Sequence, residues 1–137
     1  IRNPHSVRPW QHVLEPLEGY LRLAEALYEH GKEYGEAWNF GPDDTDAVSV
    51  SEVTKLISGI WDGEITWKLD QSRQPHEAGY LKLDSSKARA KLNWSPKLPL
   101  SEALRWTVEW YQSFLKGEDA RKITTAQLSR YQEAANA

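Results

Sequence analysis

Leu14, Leu17, Leu21, Ala24 and Tyr28 recur at three- and four-residue steps, so they share one face of a helix that starts near Leu14. Pro16 suits its first turn, where the missing N–H costs nothing. Gly31 or Gly35 ends it. The same period returns at Val53, Leu56, Ile57 and Ile60, behind a capping box made by Ser49 and Glu52. It returns again from Leu100 to Leu115, through Leu104, Trp106, Val108, Trp110, Tyr111 and Phe114. A shorter helix, Ser85 to Leu92, is capped by Asp84. Between these helices lie short extended pieces. Two flank the Pro-containing loop within residues 1–13. Trp38 to Phe40 is an apolar strand stopped by Gly41-Pro42. Ile65, Trp67 and Leu69 alternate as a strand does. Tyr80 to Leu83 is extended as well. Short strands alternating with helices predict an α/β fold, or α+β if the piece stands alone. Three or four short strands are too few for a complete doubly wound sheet.

The chain of 137 residues is 39% hydrophobic and 27% charged, which suits one ordinary globular domain. Residues 118–137 are polar and weakly helical, and read as a frayed surface tail. No apolar run approaches the length of a membrane span, so no membrane partner is expected. There is no Cys, hence no disulfide, thiolate nucleophile or cysteine metal site, which is compatible with a cytoplasmic protein. The sequence pI is near 5.8, and there is no basic stripe for nucleic acid. There is also no Met, and Ile1 reads as the middle of a strand. A C-terminal fragment of a longer protein is the expectation.

Complete catalytic machinery is missing from the sequence. Neither G-x-G-x-x-G nor a phosphate loop occurs, so the chain has no nucleotide fingerprint of its own. G-x-S-x-G and H-E-x-x-H are absent, and His5, His12, His30 and His76 lack helical ligand spacing. Tyr28 and Lys32 match a Y-x-x-x-K pattern in which lysine lowers a phenol pKa for acid–base work. Gly31 between them marks the end of the helix, so the pair reads as a surface helix terminus.

The acidic chain, with a formal charge of -3, nevertheless opens on a cationic loop, "RNPHSVRPWQHVLEP". Arg2, His5 and Arg8 lie together with no acid nearby, and Pro9-Trp10 restricts where Arg8 can point. A second polar loop holds Arg73, His76 and Tyr80. Guanidinium groups bind phosphate bidentately and stay charged at any working pH. Two such loops facing one cleft would suit a diphosphate, whereas a lone arginine is usually just solvated. Trp10 is the tryptophan beside this loop. Trp38, Trp61, Trp67, Trp94, Trp106 and Trp110 read as packing.

"RNPHSVRPWQHVLEPLEGYLRLAEAL", "WNFGP", "PHEAGYLKLDSSKA" and "LNWSP" together resemble the CDP-glucose 4,6-dehydratase branch of the extended short-chain dehydrogenase/reductase superfamily. The resemblance runs from Ile1 to about Gly117. The wider superfamily has looser versions, including an N-x-G strand and a D-x-S-K-A turn. The resemblance implies an NAD-dependent lyase acting on CDP-glucose, as a homodimer. NAD would be held mainly by an N-terminal part, which also carries the catalytic tyrosine and lysine, so this chain supplies no catalytic residue. Residues 1–117 would be the nucleotide-sugar-binding portion and 118–137 the tail. Arg2 would lie beside the base and Arg8 at the phosphates or ribose. Arg73 would meet the diphosphate and Tyr80 the sugar. His76 and its neighbour Glu77 are assigned to the same pocket. A related epimerase or dehydratase half acting on a UDP- or GDP-sugar, and a stand-alone binding module without catalysis, remain alternatives.

Overall fold

A computed structural model describes residues 1–72 and 77–135. Two short antiparallel strands, β1 (Val7–Pro9) and β2 (Ala47–Ser49), pair with Arg8 opposite Val48. The described residues include five α-helices: α1 (Leu14–His30), α2 (Val50–Ile60), α3 (Ser86–Leu92), α4 (Leu100–Leu115) and α5 (Ala120–Ala135). The result is a mostly helical α+β piece. None of the helices is long and apolar enough to cross a membrane.

The local signals act as their chemistry requires. Ser49 caps α2 by accepting the Glu52 N–H at 3.2 Å. Gly31 closes α1 with φ of 64°, a region that favours glycine. Asn93 ends α3 in the left-handed conformation, φ 48°, which a short polar side chain tolerates. Asp84 Oδ1 accepts the Ser86 N–H at 2.9 Å, and α3 starts one residue later than its sequence pattern predicts.

Three small apolar clusters hold the elements together. Phe40, Ala88, Leu92 and Trp94 gather between α1 and α3. Leu98, Ala103, Trp106 and Tyr131 gather between α4 and α5. Val53, Leu100 and Leu104 join α2 to α4, with Trp10 and Val48 against them. At the junction stands Glu15, fully buried on α1. Its carboxylate accepts the backbone N–H of Lys97 at 3.0 Å, that of Leu98 at 2.8 Å, and the Tyr131 hydroxyl at 3.0 Å. Its own backbone carbonyl accepts the Trp94 indole at 3.1 Å. One buried side chain therefore ties α1, the turn before α4, and α5 together. Beside it Glu18 receives Lys97 Nζ at 2.6 Å, Arg22 Nη2 at 2.8 Å and the same Tyr131 hydroxyl at 3.0 Å.

Several expectations are corrected. Of the predicted inward face of α1, Leu14 does pack, against the Leu98 and Trp106 cluster, but Leu17, Leu21, Ala24 and Tyr28 do not. The packed face runs through Glu15, Gly19, Leu23 and Ala26, which at about 100° per residue lies nearly opposite the predicted one. Leu17, Leu21 and Tyr28 are exposed, Tyr28 at 93%. The polar Glu15 can take the buried place because its carboxylate is saturated with donors. Trp38 to Phe40 and Ile65 to Leu69 form no strand. An extended segment needs a neighbour to satisfy its backbone. For Ile65 to Leu69 the available neighbour is Ile1, which donates its amino group to the Lys68 carbonyl at 2.7 Å and accepts the Asp70 N–H at 2.8 Å. Ala120–Ala135 is regular helix, docked by the buried Tyr131.

Candidate functional site

β1 places the cationic loop. Val7 N–H donates to the Gly79 carbonyl at 2.9 Å, and Leu81 N–H donates to the Val7 carbonyl at 3.1 Å. These bonds lay the segment around Tyr80 parallel to Val7. The opening loop thus meets the segment around Tyr80 through its backbone.

Arg8 is the better-anchored cation. β2 covers one side of its strand, and the Trp10 indole locks the next residues by donating to the Val48 carbonyl at 3.0 Å. Arg8 Nη1 donates to the Val7 carbonyl at 2.7 Å. Its Nη2 pairs with Glu77 Oε1. Asn3 Nδ2 donates to the other oxygen, Glu77 Oε2. One carboxylate is thus held by an amide and a guanidinium from the opening loop. The Arg8 and Asn3 donors hold the Glu77 carboxyl below the usual glutamate range, with the Arg2 charge adding to the effect. Arg2 itself is exposed.

Tyr80 is half exposed, and the Lys82 ammonium lies 5.6 Å from its ring centre. Lys82 also pairs with Asp44 at 3.2 Å, and contacts to Tyr80 first and Asp44 second raise its pKa. Paired residues in a bridge share a face, and neighbours along a strand alternate. Tyr80 therefore falls on the Val7 side of the ribbon, while Arg8 falls on the other. The structure brings Arg8 and Tyr80 into one region without converging their side chains. Arg73 and His76 lie outside the described residues.

Asn3 and Glu77 form, with Arg8, the best-built polar constellation near the loop. Asn3 was missed because nothing in its sequence position marks an amide as a ligand. The Tyr28–Lys32 pair sits at the exposed end of α1, as a surface helix terminus would.

A separate cleft of about 540 Å³ opens between residues 11–14 and the facing sides of α4 and α5. Gln11, His12, Thr107, Trp110 and Gln127 are among its lining residues. His12 is buried, its ring 5.7 Å edge-on from Trp106. Burial lowers its pKa, which favours the neutral ring, and Nδ1 accepts the Leu14 N–H at 3.3 Å. Among the described residues no group of three or more His, Asp or Glu could hold a metal.

No family model matches the chain. It is 46% identical to CDP-glucose 4,6-dehydratase of Salmonella typhimurium over 134 residues, which cover 98% of this chain and 37% of that protein. It is 25% identical to GDP-mannose 3,5-epimerase 1 of Oryza sativa over 121 residues, covering 88% of this chain and 29% of the relative. To UDP-glucuronic acid decarboxylase 1 of Arabidopsis thaliana it is 29% identical over 118 residues, covering 85% of this chain and 25% of the relative. The chain thus spans about a third of the length of the curated relatives it matches. Along nearly its whole length the chain is related to CDP-glucose 4,6-dehydratase, matching a C-terminal portion of that enzyme of the extended short-chain dehydrogenase/reductase superfamily.

Proposed function

We propose that this chain is the part of a CDP-glucose 4,6-dehydratase that holds the CDP end of the substrate. The whole enzyme would be an NAD-dependent lyase, converting CDP-glucose to CDP-4-keto-6-deoxyglucose for deoxysugar and surface polysaccharide synthesis. The reading takes it as a cytoplasmic homodimer, with neither nucleic acid nor membrane among its partners. The observation that carries the reading is the Glu77 carboxylate seated on Asn3 and Arg8. Two oxygens of one anion are met by an amide and a guanidinium, the donor chemistry a phosphate needs.

The residues present do not fit NAD. α1, α2 and α4 are preceded by Val13, Ser49 and Pro99, none of them within a Gly-rich strand-loop-helix that could admit a pyrophosphate. No step through the dinucleotide is derived for this chain, and no turnover by it alone is expected. Its contribution is positional. Anchoring the nucleotide fixes the hexose at a distance, and such remote binding lowers a barrier by alignment. In this reading Arg8 holds the diphosphate and Arg2 lies against the base, Arg73 and His76 belong to the same pocket, and Tyr80, on the other face of the ribbon from Arg8, would meet the sugar rather than the phosphates. The exposed Leu17, Leu21 and Tyr28 of α1 would be covered by the nucleotide-binding sheet of the same enzyme.

Relatives named for GDP-mannose and UDP-glucuronic acid make the nucleotide the point to test. Calorimetric titration with CDP, UDP and GDP should give tightest binding for CDP. Arg8→Ala should weaken it roughly 10- to 100-fold, as expected for loss of one charged hydrogen bond. Preference for UDP or GDP would assign the chain to another nucleotide sugar. Unaltered CDP affinity in Arg8→Ala would remove Arg8 from the site.

A further inference from the structure

Arg8 and Asn3, as the ligand-facing donors of the proposed function, are already occupied. Arg8 Nη1 is committed to the Val7 carbonyl at 2.7 Å, and the outward Nη2 is engaged with Glu77. Asn3 Nδ2 is engaged with the second oxygen of the same carboxylate. We propose that Glu77 is a built-in competitor for the anionic ligand of Arg8, and that its displacement sets the affinity of this site. The inference rests on reading Arg8 and Asn3 as the diphosphate-binding donors.

Geometry supports a carboxylate that can leave and return. Glu77 is exposed, so the displaced carboxylate is rehydrated, while the partly buried Arg8 guanidinium passes to the incoming anion. Two residues onward, Gly79 is fastened to β1 by the 2.9 Å bond from Val7 N–H. The displaced side chain therefore stays tethered within reach of Arg8, and competition is intramolecular rather than diffusive. The Glu77 end of the pair is open to solvent while the Arg8 end is partly buried, and the solvated carboxylate keeps the pair weak enough for the competition to be surmountable. A purely positioning Glu77, one that only steers Arg8 toward a ligand, would act with the opposite sign. Its removal would loosen Arg8 and weaken binding.

Glu77→Gln removes the charge and keeps the shape; Glu77→Ala removes both. Each chain would be titrated calorimetrically with CDP, with uncharged cytidine and with inorganic pyrophosphate, after circular dichroism confirms unchanged helix content. Both variants should bind CDP and pyrophosphate about two- to five-fold more tightly, the range of a weak, partly exposed ion pair. Cytidine affinity should not change. Equal or weaker binding of CDP and pyrophosphate in the variants would overturn the inference. If pyrophosphate tightens while CDP binds none of the chains, Glu77 is the competitor but the nucleotide reading fails. If neither anion binds any chain, both readings fail together.

Discussion

Tyr131→Phe isolates one hydroxyl at the point where three helical segments meet. That hydroxyl lies 3.0 Å from Glu15 Oε2 and 3.0 Å from Glu18 Oε2. It has a single proton, so one charged hydrogen bond is lost rather than two. Removing a hydrogen bond to a charged group costs roughly 1.5–3 kcal/mol. Neither carboxylate is stranded: Glu15 keeps the N–H groups of Lys97 and Leu98, and Glu18 keeps Lys97 Nζ and Arg22. The phenyl ring still packs against Leu98, Ala103 and Trp106, so no cavity forms beyond one oxygen. These considerations set the loss at about 2 kcal/mol. It should fall first on α5, whose anchoring residue is Tyr131. Urea unfolding followed by circular dichroism gives the global loss, and amide hydrogen exchange gives the local one. Protection in α5 should drop about 30-fold, the equivalent of that energy at roughly 1.4 kcal/mol per decade. A loss under about 0.5 kcal/mol, with α5 protection unchanged, would refute the idea that the shared hydroxyl docks the helix.

The same cluster predicts a pH signature. Burial, the largest influence on Glu18, pushes its pKa up, but the bonds from Lys97, Arg22 and Tyr131 outweigh it and the net shift is downward. A carboxylate lowered on folding contributes stability above its unfolded pKa and loses it as pH falls. Glu18→Gln should therefore cost about 1–2 kcal/mol at neutral pH and progressively less below about pH 4, measured by urea titrations across that range. Glu15 is shifted upward, chiefly by desolvation, so its effect has the other sign: the stability tied to its protonation is lost as pH rises above the ordinary glutamate range. Gly19→Ala should destabilise by about 1–3 kcal/mol, the usual cost of overpacking. An added Cβ would overlap the Phe40 ring, and thermal melting compared with Gly59→Ala, where space is open, checks it.

Helix boundaries were legible because their signals are local. Leu100 to Leu115 was read from apolar spacing, and the Ser49 cap needs a partner only three residues away. The opening cationic loop was legible for the same reason, since Arg2 and Arg8 are neighbours in the chain. The face that α1 turns inward was not. Apolar spacing favoured Leu17 and Leu21, yet a glutamate took the buried position. The donors that make its burial tolerable come from Lys97, Leu98 and Tyr131, as many as 116 residues away. Nor could the sequence pair Arg8 with Glu77, 69 positions apart. Strands at Trp38 to Phe40 and Ile65 to Leu69 failed for a related reason: alternation describes a side-chain pattern, but a strand exists only where another backbone accepts its hydrogen bonds. The chain's own residues thus determined its helices, its caps, its charge and its kinship with nucleotide-sugar enzymes. Tertiary structure alone decided which faces are buried and which donors meet which anion, because those outcomes depend on partners distant in sequence.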